Sequence, residues 1–247
     1  MKFTSKKLLM WLYPIGQQQR RRVAYEQVPI IIPEITEEGR LSLIRHLERS
    51  DLLFSDRLTE DLHLTISTHG KSQLEADFPV LNQQTEPWQG DWCMIVFLKP
   101  PAIDRNFRYL RTVLLKEYCF ALERGVYLHA GKLTDKLLDL LEKAYRGCVI
   151  IVKYDNLEFG DQLKIIGQKT ELRSLIKAYS DIGSQLENML TKKSKSKRLS
   201  NQQKKSIYSV YDRLIRHLEI DHGLISYYFS QVENGLSLLN KLKNHFS

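Results

Sequence analysis

The chain has 247 residues, enough to bury real cores in one large domain or in two to three small ones, and its 43% hydrophobic and 27% charged composition is ordinary for a soluble protein. No run approaches the roughly 20 apolar residues of a membrane span. Cys93, Cys119 and Cys148 are odd in number and lack C-x-x-C spacing, so they read as buried small hydrophobes in a reducing cytoplasm. The net charge of +8 points to an anionic partner, but it is unevenly spread: residues 1–80 carry eleven basic and eleven acidic groups, whereas 161–247 hold an excess of +7.

At the start, Lys2, Lys6 and Lys7 precede a short apolar run, Leu8 to Ile15, in the manner of a signal peptide. Pro14 and the following QQQRRR replace a small-residue cleavage site, so the expectation is a cytoplasmic protein. Ser5 to Tyr13 reads as a first helix, ended by Pro14 and Gly16. From Arg20 to Pro33 the sequence VPIIIP favours an extended strand, because Pro29 and Pro33 argue against an ordinary helix.

Thr36 is an N-cap with Glu37 and Glu38 in the first turn, where negative charge meets the positive helix end. In the helix Thr36 to Ser50, Leu41, Leu43, Ile44 and Leu47 face inward, and Arg40, Ser42, Arg45 and Arg49 face outward. Leu52 to Arg57 and Asp61 to Ser67 then alternate as a hairpin, so residues 1–80 read as a winged helix-turn-helix. The expected DNA contacts are Arg40, Ser42, Arg45 and Arg49 on the helix, Arg57 on the hairpin, and the run Arg20, Arg21 and Arg22. Arginine forks suit both guanine edges and phosphates. The competing reading is a solvated face balanced by Glu37, Glu38 and Glu48.

In the middle of the chain, Asp91 to Leu98 is a short apolar strand stopped by Pro100 and Pro101. A helix from Asp104 sets Phe107, Leu110, Leu114 and Leu115 on one face and Arg105, Arg108, Arg111 and Lys116 on the other. Phe120 to Leu128 is a strand with Gly125 inside it as a bulge or close approach. Lys132 to Tyr145 is a second amphipathic helix, Val149 to Tyr154 a β-branched strand, and Leu163 to Gly167 the candidate fourth strand. Residues 86–168 therefore predict a ferredoxin-like βαββαβ-type domain, an antiparallel sheet with two helices on one face.

Beyond it, Glu171 to Leu190, a segment from Gln202, and Gly235 to Phe246 read as helices, giving a helical C-terminal region over 169–247. Between them Thr191 to Lys205, TKKSKSKRLSNQQKK, is either a solvated linker or a flexible arm adding salt-sensitive phosphate contacts. The fold class expected for the whole is α+β.

The chain lacks G-x-x-x-x-G-K-[ST], G-x-S-x-G and G-x-G-x-x-G. His63 and His69 do not fix a metal geometry, His217 and Asp221 lack a third partner, and Asp104 with Asp135 is too loosely placed for two-carboxylate chemistry. No catalytic, cofactor-binding or metal-binding residue is assigned.

Several short motifs occur in a telling order: Trp88, Gly90 and Trp92 as W-x-G-x-W; Phe120, Leu122, Gly125, Val126 and Tyr127 as an F-x-L-x-x-G-V-aromatic strand; and LERSDLL from Leu47 to Leu53. Ile66, Ser67, Gly70 and Leu74 complete the set. Together they resemble the PaaX-like family of transcriptional repressors. The family's glycine before the strand is matched by Tyr118, and its glycine in the third motif by Asp51. The resemblance implies a repressor that binds palindromic operator DNA as a homodimer, with assembly through the ferredoxin-like domain. Family repressors respond to aryl-coenzyme A thioesters, but Asp221, Leu224, Glu233 and Gly235 match the family's C-terminal motif only in part, with His222 in place of a proline, so the effector is left unnamed.

The same domain fold serves the small subunit of the CRISPR adaptation complex, where an acidic residue ends the first strand. Here those positions are Phe97, Leu98 and Lys99. A CRISPR-adaptation-like or nuclease-related protein is accordingly the alternative to the regulator.

Overall fold

The computed structural model describes residues 1–16, 20–57, 61–84, 88–98, 104–154, 162–191 and 199–246. In chain order the elements are α1 (Phe3–Leu12), β1 (Val23–Ala24), α2 (Val28–Ile31), α3 (Glu37–Arg49), β2 (Leu53–Arg57), β3 (Leu62–Ile66) and α4 (Thr68–Asp77). There follow β4 (Trp92–Phe97), α5 (Asp104–Lys116), β5 (Phe120–Glu123), β6 (Val126–Ala130), α6 (Asp135–Tyr145) and β7 (Val149–Tyr154). The remainder is helical: α7 (Gln162–Lys169), α8 (Leu172–Thr191), α9 (Asn201–Glu219), α10 (Ile225–Tyr228) and α11 (Gly235–His245). The result is a mixed α+β chain with two small antiparallel sheets. Among the described residues no helix is long and apolar enough to cross a membrane.

Two compact units emerge: Met1–Thr85 with Lys177–Asp221 and Gln231–Ser247, and Glu86–Ile176 with His222–Ser230. The expected boundaries at 80, 86, 168 and 169 thus need one correction. The C-terminal helices do not form a unit of their own: Lys177–Asp221 and Gln231–Ser247 join the N-terminal elements, whereas the residues up to Ile176 and His222–Ser230 join the second unit.

In the first unit the sheet order is β1-β3-β2. Helix α1 is buried along Leu8, Leu9, Met10 and Leu12, and Trp11 meets Tyr211 of α9 edge-on at 5.1 Å. The Tyr211 hydroxyl donates to the Lys7 carbonyl at 2.6 Å. The buried Lys7 ammonium sits between Glu34 and Asp212. At the other end of α1, Lys243 of α11 donates to the Met10 and Tyr13 carbonyls at 2.6 and 2.7 Å, and burial, with Arg21 nearby, pushes its pKa well down. Helix α2 replaces the extended segment expected at VPIIIP. Pro29 lies in its first turn, where the missing N–H has no helical partner anyway.

Residues near the C-terminus make further contacts within this unit. Asp221 accepts from the buried Tyr179 hydroxyl at 2.7 Å, Glu233 accepts from Ser237, and Asn234 caps α11. A Cβ on Gly235 would lie 2.6 Å from the Tyr179 ring. His217 turns its Nδ1 to the Arg213 carbonyl at 2.7 Å. Of the basic stretch, 192–198 lies outside the described residues. Asn201 to Lys205 already belongs to α9, started by a capping box of Ser200 and Gln203.

The second unit has the sheet order β5-β6-β4-β7. Cys93, Ile95 and Tyr127 on one sheet face pack against Leu110 and Leu114 of α5 and Leu137 and Leu141 of α6. Two expectations change here. Phe120 to Leu128 is a hairpin rather than one strand: Gly125, at φ +84°, makes the turn, and the bulge falls between Ala121 and Glu123. This split supplies the fourth strand, and Leu163 to Gly167 belongs instead to α7.

Leu115, expected inward, is 48% exposed. Tyr118 adopts φ +61°, a left-handed conformation that is strained for a ring-bearing residue. Trp88 and Trp92 pack at 4.7 Å, and Gly90, at φ +95°, lies so close to Tyr227 that a Cβ would be 2.4 Å from its hydroxyl.

Candidate nucleic-acid interface

Helix α3 starts where Thr36 Oγ1 accepts from the Gly39 N–H at 3.2 Å, and its inner face is anchored by buried Ile44 and Leu47. Its C-terminus is closed by Asp51 at φ +53°, a conformation that Asp tolerates better than most residues. Leu52 N donates to the Leu47 carbonyl and Ser67 N to the Leu52 carbonyl, which ties the end of α3 to β3. Glu48 accepts from both the backbone N–H and the hydroxyl of Ser55, fixing the last turn of α3 to β2. An open groove of about 200 Å³ lies between α3 and the β2–β3 hairpin, with Leu41, Ile44 and Leu62 in its floor and Arg45, Glu48 and Asp56 beside it.

Ser42, Arg45 and Arg49 are exposed on α3, as the periodicity predicts. His46 is exposed between them and went unnoticed in the sequence. Its signal was the spacing of four from Ser42.

Arg40 is engaged elsewhere. Its side chain is 12% exposed, and its guanidinium donates to the Ile35 carbonyl at 2.5 Å and to Glu37 at 2.9 Å. Arg40 and the Tyr25 hydroxyl, both donating to Glu37, hold that carboxyl below its ordinary pKa. Arg40 therefore secures the entry to α3 instead of projecting from its face.

The run Arg20 to Arg22 does not act as one cluster. Arg20 is exposed. Arg21 is only 8% exposed, its guanidinium lies over the Trp11 ring at 5.5 Å, and burial pushes its pKa down. Arg22 pairs with Asp56 of β2, brought near by the pairing of Val23 with Leu64. Arg57 ends β2, and its side chain lies outside the described residues. Of the eight expected contacts, Ser42, Arg45 and Arg49 share one open face beside the hairpin.

In the second unit, the end of β4 is apolar. Phe97 packs edge-on against Phe107 at 5.7 Å and Tyr127 at 5.9 Å, and Lys99 lies outside the described residues. Among the described residues no group of three or more His, Cys, Asp or Glu side chains is placed to hold a metal ion.

No protein-family model matches the chain, and no curated protein matches it. Among solved structures it is similar to an uncharacterized protein, Rv0674, from Mycobacterium tuberculosis, at 16% identity and a TM-score of 0.49, over 97% of this chain and 90% of that one.

Proposed function

We propose that this chain is a DNA-binding transcriptional regulator of the PaaX-like kind, a cytoplasmic repressor that binds operator DNA as a homodimer and has no catalytic role. In this reading the N-terminal elements form a winged helix, α3 is the recognition helix and the β2–β3 hairpin is the wing. The order α1, β1, α2, α3, β2, β3 and the β1-β3-β2 sheet support it. The observation that carries it is α3 itself, capped at both ends, anchored by Ile44 and Leu47, and presenting Ser42, Arg45, His46 and Arg49 to solvent.

The second unit is proposed as a ferredoxin-like dimerisation module. Its βαββαβ order and β5-β6-β4-β7 sheet favour that architecture. Ile150 and Val152 of edge strand β7, 45% and 42% exposed, alternate with Ile151, which packs on the core, so they stand on the face opposite α5 and α6. Aliphatic residues exposed on an edge strand suit association with a second copy.

The test is the double substitution Arg45→Ala/Arg49→Ala. Losing two arginine contacts at about 1–3 kcal/mol each lowers affinity for an operator duplex at least ~10-fold. Unchanged affinity, with the fold intact by circular dichroism, contradicts the assignment of α3.

A further inference from the structure

Of the fourteen basic residues of the second unit, four lie on α5, more than on any other of its helices. Helix α5 begins with Asp104 and then carries Arg105, Arg108, Arg111 and Lys116, with Glu117 directly after it. The apolar stripe of α5 is committed to the core through Leu110 and Leu114, with Val113 packed against them. The outer face that remains exposes Arg108, Tyr109, Arg111, Thr112, Leu115 and Lys116.

Neighbouring α6 behaves differently, because its Lys143 is paired with Asp139. Neither Arg111 nor Lys116 has a carboxylate partner among the described residues. The α3 face, by contrast, lies beside Glu37, Glu38, Glu48 and Asp56.

We propose that the outer face of α5 is a second nucleic-acid contact, one that binds the phosphate backbone of double-stranded DNA without reading its sequence. Three features select this occupant. First, the exposed residues from 108 to 116 include Arg108, Arg111 and Lys116 and no acidic side chain, and guanidinium forks match phosphate oxygens in two parallel hydrogen bonds. Second, Arg108 to Lys116 spans about 12 Å of helix, comparable to the axial length of about three phosphates of one strand.

Third, Thr112 and Tyr109 place hydroxyls among the charges, and such groups commonly donate to phosphates. A lipid surface fits less well, since an interfacial helix needs a free apolar face and that of α5 is buried in the core. An acidic protein segment is the rival. The inference does not depend on the reading of α3.

Fluorescence anisotropy with the full chain and a 30-base-pair duplex of arbitrary sequence, titrated across a range of salt, tests it. Three proteins are compared: wild type, the triple variant Arg108→Gln/Arg111→Gln/Lys116→Gln, and Arg45→Ala/Arg49→Ala. The triple variant is expected to bind at least tenfold more weakly at low salt. Its slope of log affinity against log salt should shrink by roughly 2 to 3, at about 0.9 per lost phosphate contact.

A triple variant with wild-type slope and affinity overturns the inference, as does a wild-type protein that binds no duplex at low salt. If the triple variant keeps its duplex affinity but loses binding to polyglutamate, the face belongs to an acidic protein and the inference fails. Loss in the Arg45/Arg49 variant alone leaves the α3 reading standing and removes that of α5. Loss in the triple variant alone does the reverse.

Discussion

At the scale of single residues, the fate of a side chain depends on partners far away in sequence. Arg21 and Arg40 have the composition of DNA contacts, yet Arg21 lies over Trp11 and donates to the Lys243 carbonyl at 3.5 Å, and Arg40 turns back on Ile35 and Glu37. No local pattern announces a contact 222 positions distant. Ser42, Arg45 and Arg49 were legible because helical periodicity alone determines which face they occupy.

His222 gives a residue-scale prediction. Its ring meets Tyr118 and Phe120 edge-on, and burial, with His129 nearby, pushes its pKa down to about 4. Burial also lowers His129, whose Nδ1 lies 3.2 Å from the Gly131 carbonyl, although Glu117 and Asp91 partly oppose the shift. In the unfolded chain a histidine takes up its proton near pH 6.5. The unfolded state therefore binds more protons below that pH, and stability is full above 6.5 and lost as pH falls toward 4.

The loss attributable to His222 is on the order of 2 kcal/mol. Urea denaturation followed by the fluorescence of Trp88 and Trp92 at pH 7 and pH 4.5 measures it. His222→Phe should show a smaller drop between the two pH values than wild type. An equal drop in both proteins contradicts the assignment.

At the scale of elements, the start of α3 was legible, because Thr36 caps it through its side-chain oxygen, an outcome set by local chemistry. Ser67 and Thr134 cap α4 and α6 in the same way, the latter three residues after the Lys132 start that the periodicity suggests. Three other elements were misread for identifiable reasons. Proline in a first turn permits α2, a glycine expected within a strand turns out to make a hairpin, and a short apolar run such as Leu163 to Gly167 does not distinguish helix from strand by periodicity.

Gly70 belongs to this scale, because α4 approaches the end of α3 through it: a Cβ there would lie 2.0 Å from the Leu52 carbonyl oxygen, which is backbone and has little room to yield. Gly70→Ala is expected to destabilise the first unit by about 2–4 kcal/mol. Chemical denaturation followed by circular dichroism checks it. A change within about 0.5 kcal/mol would show that the approach relaxes freely.

At the scale of the whole molecule, the sequence suggested three consecutive domains, whereas the chain returns twice and builds two units from separated segments. The reason is visible in α1, whose buried residues are covered by α9 and whose C-terminal carbonyls are held by Lys243. An amphipathic helix announces that it needs a partner, but not which one.

For assembly, a dimer built on β7 predicts that Ile150→Glu/Val152→Glu sediments as a monomer under conditions where wild type sediments as a dimer. A variant that remains dimeric places the contact elsewhere. The most direct test of the regulator account is selection of bound fragments from random duplex DNA by the full-length protein at low salt. The account predicts enrichment of a two-fold symmetric site with half-sites about one helical turn apart. Recovery of no enriched sequence would contradict it.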